Sequence, residues 1–238
     1  MNRHLKYLIA GLLLVSFAAG AEPVGELRGD DEAVERVTKM LDQLGGADLW
    51  ARSKHLYVEQ SGWFTGPSEA AVEYVWRSFE SPAQHAHIIG RHTDTVHIMT
   101  DAGAWTNRKG VVTVMPRDDH ARAVAGWFNG SYTMIHRLAT ADSALWLDFE
   151  APHRVRILDE NREEISWYDI NEFGHLMKWG RTAPSGDTLE YVYGPMRDFG
   201  NLRFPAWGAA VDASWRYSYE KFVLSMEPID PELLRAPE

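Results

Sequence analysis

From Ser53 to Tyr219 the hydrophobic residues recur with a period of two, in about ten short runs separated by turn-forming residues. Leu56 and Val58 alternate with His55, Tyr57 and Glu59; in 72–79, Tyr74 and Trp76 share one face while Val75, Arg77 and Phe79 share the other. Similar runs cover 86–91, 95–100, 104–108 and 111–115, with turns such as Asp101-Ala102-Gly103 between them. In the second half Leu145, Leu147 and Phe149 alternate with Trp146 and Asp148, and Val155 and Ile157 with Arg154 and Arg156. Ile165 and Trp167 follow with Glu164 and Ser166, then Leu189, Tyr191 and Tyr193 with Glu190, and finally Trp215, Tyr217 and Tyr219. Short antiparallel strands that are each wet on one face imply one strongly curled sheet with an apolar inner face. Such a sheet must close on itself or be covered.

The cover is legible as two helical segments. Val34, Val37, Met40, Leu41 and Leu44 recur at helical spacing, and Gly45-Gly46 stops the segment. A second, broken helix is expected over 118–138: Val124, Trp127 and Phe128 form its first apolar stripe, Asn129-Gly130 interrupts it, and Tyr132, Ile135 and Leu138 continue it. Asp118 and Asp119 suit the positive end of that helix. Both segments are expected across the mouth of the curl.

The first 21 residues have the plan of a secretory signal peptide: Arg3 and Lys6, an apolar stretch over 7–17, then Ala19-Gly20-Ala21 as an Ala-x-Ala cleavage site. Cleavage removes two bases and no acid, moving the formal charge from −10 to −12. No Cys follows the site, so lipoprotein-type acylation is excluded, and a periplasmic or extracellular destination is expected. In an oxidising compartment a chain with no Cys must stand on its core alone, which residues 22–238 can supply as one domain. The acidic balance disfavours nucleic acid and anionic lipid surfaces. The load of 10 Trp, 9 Tyr and 9 Phe asks for a core, a lined cavity or an interaction surface.

The layout resembles the periplasmic lipoprotein-carrier superfamily, LolA/LolB-like. The resemblance rests on the leader, the opening helix ending in Gly-Gly-Ala-Asp-Leu-Trp at 45–50, the strand beginning Lys54-His55-Leu56, and the Ala104-Trp105 step. The mid-chain helix and the Asp198-Phe199-Gly200-Asn201-Leu202-Arg203-Phe204-Pro205 segment before a final Trp-bearing strand complete it. It implies a mainly β (α+β) fold: a strongly curved antiparallel sheet forming an unclosed half-barrel of about eleven strands, with a helical lid over an apolar cavity that holds acyl chains. It also implies a non-enzymatic monomer without cofactor, whose partners are a lipid or an acylated protein and envelope membrane proteins. This body is longer and richer in Trp than the dedicated carriers. The Arg that tethers their lid has no single match here, with Arg77 and Arg91 as candidates.

Shielding an acyl chain of about 14 carbons from water takes on the order of 10 kcal/mol, which only a lined cavity supplies. The candidate lining is Trp76, Trp127, Phe128, Leu145, Leu147, Phe149, Trp167 and Tyr191, although any single ring can be plain core. Met134 and Met177 are adaptable contacts or gap fillers. A second reading is a metal-dependent hydrolase using His85, His87, His92 and His97, since His85-x-His87 on a strand points both rings to one face. No metal-protease, nucleophile-elbow or phosphate-loop pattern accompanies them. A third reading is an envelope interaction module with Trp63 or Trp146 exposed.

Overall fold

The computed structural model describes residues 25–64, 69–182 and 188–237, so the expected leader lies outside the described residues. Helix α1 (Asp31–Gln43) buries Ala33, Val37, Met40 and Leu41 and carries Asp31 and Glu32 in its first turn. Its end is set by the two glycines: the Gly46 amide donates to Leu41 O at 2.9 Å and the Gly45 amide to Asp42 O at 3.3 Å, the doubled closure of a helix ended by left-handed backbone. Gly45 and Gly46 have φ of 101° and 96°, a region costly for any side chain. A short α2 (Ala47–Arg52) follows and places Trp50, fully buried, at the centre of the core.

The first meander is β1 (His55–Phe64), β2 (Glu69–Ser78), β3 (Gln84–Gly90), β4 (Asp94–Met99), β5 (Ala104–Arg108) and β6 (Val111–Val114). The cover comes next: α3 (Arg117–Ala125), a 3-10 turn at Trp127–Asn129, and α4 (Ser131–Ala139). Four strands follow: β7 (Trp146–Glu150), β8 (Arg154–Leu158), β9 (Glu164–Ile170) and β10 (Leu176–Thr182). The chain then runs through β11 (Thr188–Tyr193), β12 (Met196–Phe199), β13 (Leu202–Pro205), β14 (Trp207–Ala210) and β15 (Trp215–Ser225). Thirteen strands form one sheet in the order β6-β5-β4-β3-β2-β1-β15-β14-β11-β10-β9-β8-β7, while β12 and β13 form a separate hairpin. The sheet is therefore larger than the eleven strands expected. The runs at β10 and β12–β14 escape a sequence reading because they are short and interrupted by Gly, Pro or charge, which hides the alternation.

The first and last strands, β1 and β15, pair at the middle of the sheet, and β6 and β7 are its two free edges. The chain leaving β6 must cross the whole concave face to begin β7, and it crosses as α3, the 3-10 turn and α4. Topology alone thus makes these helices a lid. Register fixes which side chains look at it. Val58 pairs with Val75, Gln60 with Glu73, and Tyr57 with Trp76, so Val75, Glu73 and Arg77 are concave and Trp76 is convex. On the concave side, Trp50 meets Phe79, Phe204 and Phe222 at centroid distances of 6.0, 6.3 and 6.3 Å, and Phe204 stacks on Phe222 at 4.2 Å. The C-terminal tail packs back on the sheet: Ile229 is buried and Leu233 O meets His85 Nδ1 at 2.8 Å. Among the described residues no helix is long and apolar enough to cross a membrane.

Candidate functional site

Beside the packed rings the concave face is not filled. A cavity of about 430 Å³ opens between the sheet and the lid, within the range of roughly 300–1,000 Å³ usual for small-molecule sites. One wall comes from Val58 and Gln60 on β1 and Glu73, Val75 and Arg77 on β2. The opposite wall is Trp179 and Arg181 on β10 with Tyr191 and Tyr193 on β11, and Trp215 and Tyr217 on β15 form the floor between them. The roof is Ala123, Gly126, Trp127, Gly130 and Tyr132. Residues distant in sequence converge because the sheet curls, bringing β2 and β10 to face each other across the strands between them.

The roof is pinned to both walls. The Arg77 guanidinium lies 3.8 Å from the centroid of the Trp127 ring, and its Nη1 donates to Gln84 Oε1 at 2.9 Å. Arg181 Nη1 donates to Gly126 O at 2.9 Å, and Trp127 Nε1 donates to Ser78 O at 3.3 Å. A Cβ on Gly130 would stand 3.1 Å from Arg77 Nη2, and one on Gly126 would stand 3.0 Å from Arg181 Nη1, so the two glycines let the guanidiniums reach the lid backbone. Of the two candidates for a lid-tethering Arg, Arg77 is against the lid; Arg91 is exposed in the β3–β4 turn.

Burial shapes the charges. It pushes the Arg77 guanidinium down to about 10, aided by the neighbouring Arg181 charge, and this still leaves it cationic at neutral pH. Burial also lowers Arg181. The Glu73 carboxyl accepts from Gln60 Nε2 at 2.6 Å but is raised by burial, toward its neutral form. The phenols are neutral donors and acceptors: Tyr132, pushed up to about 12 by burial, bonds the hydroxyl of Tyr219, and Tyr193 bonds Ser131 Oγ at 2.9 Å. Apolar rings beside two arginines give the site the make-up of a small-molecule pocket.

Of the expected lining, Trp127 and Tyr191 are on the cavity wall. Phe128, beside Trp127, is half-buried and is not part of the wall. Leu145 and Leu147 are 3% and 1% exposed in the solid core, and Phe149 packs against that core with Arg36 5.6 Å over its ring. Trp76 is convex, against Tyr57 at 4.8 Å and His85 at 5.4 Å. Trp167 is convex as well, since its neighbour Tyr168 shares a face with Trp179; Arg154 covers its ring at 3.7 Å. These corrections have one cause: alternation shows that a strand has two faces but not which is concave, and it does not show where a helix will fill the space. Met134 is fully buried core.

The histidines do not converge. His85 and His87 share one face as expected, and the structure makes it the convex one, but His97 pairs in register with Ala86 and faces the other way, bonding Thr106 Oγ1 at 2.9 Å. His87 Nε2 meets Asp94 Oδ1 at 2.9 Å, and His92 sits exposed in a turn. Among the described residues no group of three or more His, Cys, Asp or Glu is placed to hold a metal. Trp146, one of the rings expected on a contact surface, is covered by Arg162 at 3.6 Å, while Trp63 is exposed.

No family model and no curated protein sequence matches the chain. Similar solved structures include a DUF1329 family protein from Desulfovibrio piger, at 7% identity and a TM-score of 0.47, covering 87% of this chain and 98% of that one. An uncharacterized conserved protein from Thermus thermophilus is similar at 12% identity and a TM-score of 0.37, covering 87% of this chain and 93% of that one. MucB is similar at 9% identity and a TM-score of 0.30, covering 88% of this chain and 64% of that one. The architecture is an unclosed antiparallel sheet of thirteen strands with helices crossing over a cavity.

Sequence reasoning missed Glu73, Trp179, Arg181 and Tyr217 as cavity residues. A signal was present for some of them. Glu73 and Arg77 stand in phase with the apolar Ala71 and Val75, and Arg181 is in phase with Trp179, so charges interrupt stripes that are otherwise apolar.

Proposed function

We propose that this protein is a non-enzymatic carrier, exported to the periplasm by its N-terminal leader, which shields the acyl chain of a lipid or lipoprotein beneath its lid. The observation that carries the reading is the unfilled cavity on the concave face, walled by Trp127, Trp179 and Tyr191 and roofed by a segment that is weakly packed at one end. Helix α3 buries none of its residues, whereas α4 buries six: Ser131, Thr133, Met134, Ile135, Leu138 and Ala139. A lid with one anchored end and one loosely held end can swing, and Gly126 and Gly130 flank the 3-10 turn where it would bend. Large rigid rings exclude water around an acyl chain at little side-chain entropy cost.

The test is native mass spectrometry of the protein purified from its own envelope, followed by organic extraction and lipid identification. A bound phospholipid, fatty acid or acylated peptide is the expected result. Protein that is empty when freshly isolated, and that takes up no acyl probe after delipidation, would overturn the reading.

A further inference from the structure

We propose that the molecule held in this cavity carries an oxyanion head, a carboxylate or a phosphate, which docks between Arg77 and Arg181 beneath the lid while its chain lies along the aromatic wall. The inference rests on the carrier reading and adds the ligand's chemistry to it. Its ground is a contrast among arginines. Arg36, Arg137, Arg154 and Arg156 are partly shielded, and each holds a carboxylate within 3.0 Å. Arg77 and Arg181 are the guanidiniums on the cavity wall, and among the described residues neither has a carboxylate partner.

The bonds they do make are to neutral acceptors, Gln84 Oε1 and Gly126 O. On both residues the Nε atom is sealed from solvent with no hydrogen-bond partner. A shielded cation with an unsatisfied donor is costly, and two that repel each other are costlier. The guanidinium fork matches a planar carboxylate or a phosphate face, so an oxyanion placed between them would satisfy donors from both walls at once.

The rest of the cavity agrees in sign. Glu73, the carboxylate on the same wall, is engaged by Gln60 at 2.6 Å and raised by burial, and a single carboxylate could offset only one of the two guanidiniums. The lid adds the N-terminus of α4, nine residues long, whose cap is Gly130 with no side chain to accept from its free amides. The cavity is therefore cationic within a chain of formal charge −10. Beyond the arginines its lining includes the apolar Val58, Val75, Trp179, Tyr191 and Trp215, which a free inorganic ion would leave unused. Head and wall together specify an anionic amphiphile.

The test uses the purified protein stripped of bound lipid and four probes: dodecanoate, dodecyl phosphate, dodecanol and inorganic phosphate. Calorimetry is read beside the fluorescence of the cavity tryptophans. At least one of the two anionic amphiphiles should bind about ten-fold or more tighter than dodecanol, a difference expected for a charge-assisted bidentate contact. Arg77→Gln and Arg181→Gln should each remove most of that advantage, read as the ratio of anion to dodecanol affinity within the same variant, with Arg→Lys at either site restoring part of it. Urea midpoints close to the parent's would show that the variants are folded. Equal binding of dodecanol and the anions, or Gln variants with undiminished preference, would overturn the oxyanion head while leaving the carrier reading in place. Inorganic phosphate binding as tightly as dodecyl phosphate would overturn the amphiphile in favour of a free-anion site. Failure of every probe would bring down the carrier reading and the inference with it.

Discussion

Along β15 one inward stripe meets two environments. Phe222 and Tyr219, 2% and 0% exposed, are locked among Trp50, Phe204 and Tyr132, whereas Tyr217 and Trp215 further along the same stripe border open space. The two ends share a strand, a face and a residue class, so the sheet does not decide which is core and which is cavity. The cover decides. Over the first end α1, α2 and α4 drive Met40, Leu41, Trp50, Met134 and Leu138 into the concavity. Over the second end α3 presents Ala123, with Gly126 just beyond it, both too small to fill the space, and the two arginines beneath keep it polar at one side.

The widest separation between the two ends should appear in stability. Trp50→Ala empties the centre of the packed end and should cost about 3–5 kcal/mol in urea unfolding. Leu147→Ala, in the same end, should cost about 2–5 kcal/mol and leave the affinity of the folded protein for an acyl probe unchanged. A loss of affinity in folded Leu147→Ala protein would mean that the cavity extends into the region described here as solid. Tyr191→Leu, in the open end, gives up its stacking with Trp179 at 5.9 Å. It should cost only about 0.5–1.5 kcal/mol yet weaken acyl-probe binding several-fold, by titration of cavity fluorescence. Trp76→Ala provides the convex control: a similarly modest loss of stability with no change in affinity.

The smallest effects are pH slopes of opposite sign. In the open end, burial holds Glu73 above its ordinary 4.5, so the native state keeps a proton that the unfolded chain releases. Its stabilising share is complete below about 4.5 and is lost as pH rises through the native value. In the packed end, burial holds His136, stacked on Phe79 at 4.7 Å, below its ordinary 6.5. There the unfolded chain binds the proton first, so stability is lost as pH falls from about 6.5 toward the native value. Urea midpoints between pH 4 and pH 8 should show Glu73→Gln gaining on the parent as pH rises and His136→Gln gaining on it as pH falls. The same slope in both variants would contradict the environments assigned to the two ends.

Much of the fold was legible. Each run of alternation from Leu56 to Tyr219 is a strand, the break at Asn129-Gly130 separates two lid pieces, and Gly45-Gly46 closes α1. Less of the site was legible. Trp127 was readable because a lid must turn a ring toward what it covers, and Tyr191 because it lies on an aromatic stripe. Trp76 and Trp167 misled because a ring on the convex face can be shielded by a neighbouring ring or an arginine and leaves the same pattern in the sequence. Arg181 was invisible because its meaning depends on Arg77, more than a hundred positions earlier.

What the sequence determined by itself is local: period-two alternation commits each segment to a strand, and glycine and caps fix where helices stop, because these depend on backbone sterics and on neighbours a few residues away. The tertiary structure alone decided which strand face is concave, which part of the concavity the helices fill, and that two arginines with no carboxylate partner among the described residues line one cavity from opposite walls. Those outcomes depend on the curl of thirteen strands and the path of one crossover, which no short window of sequence contains.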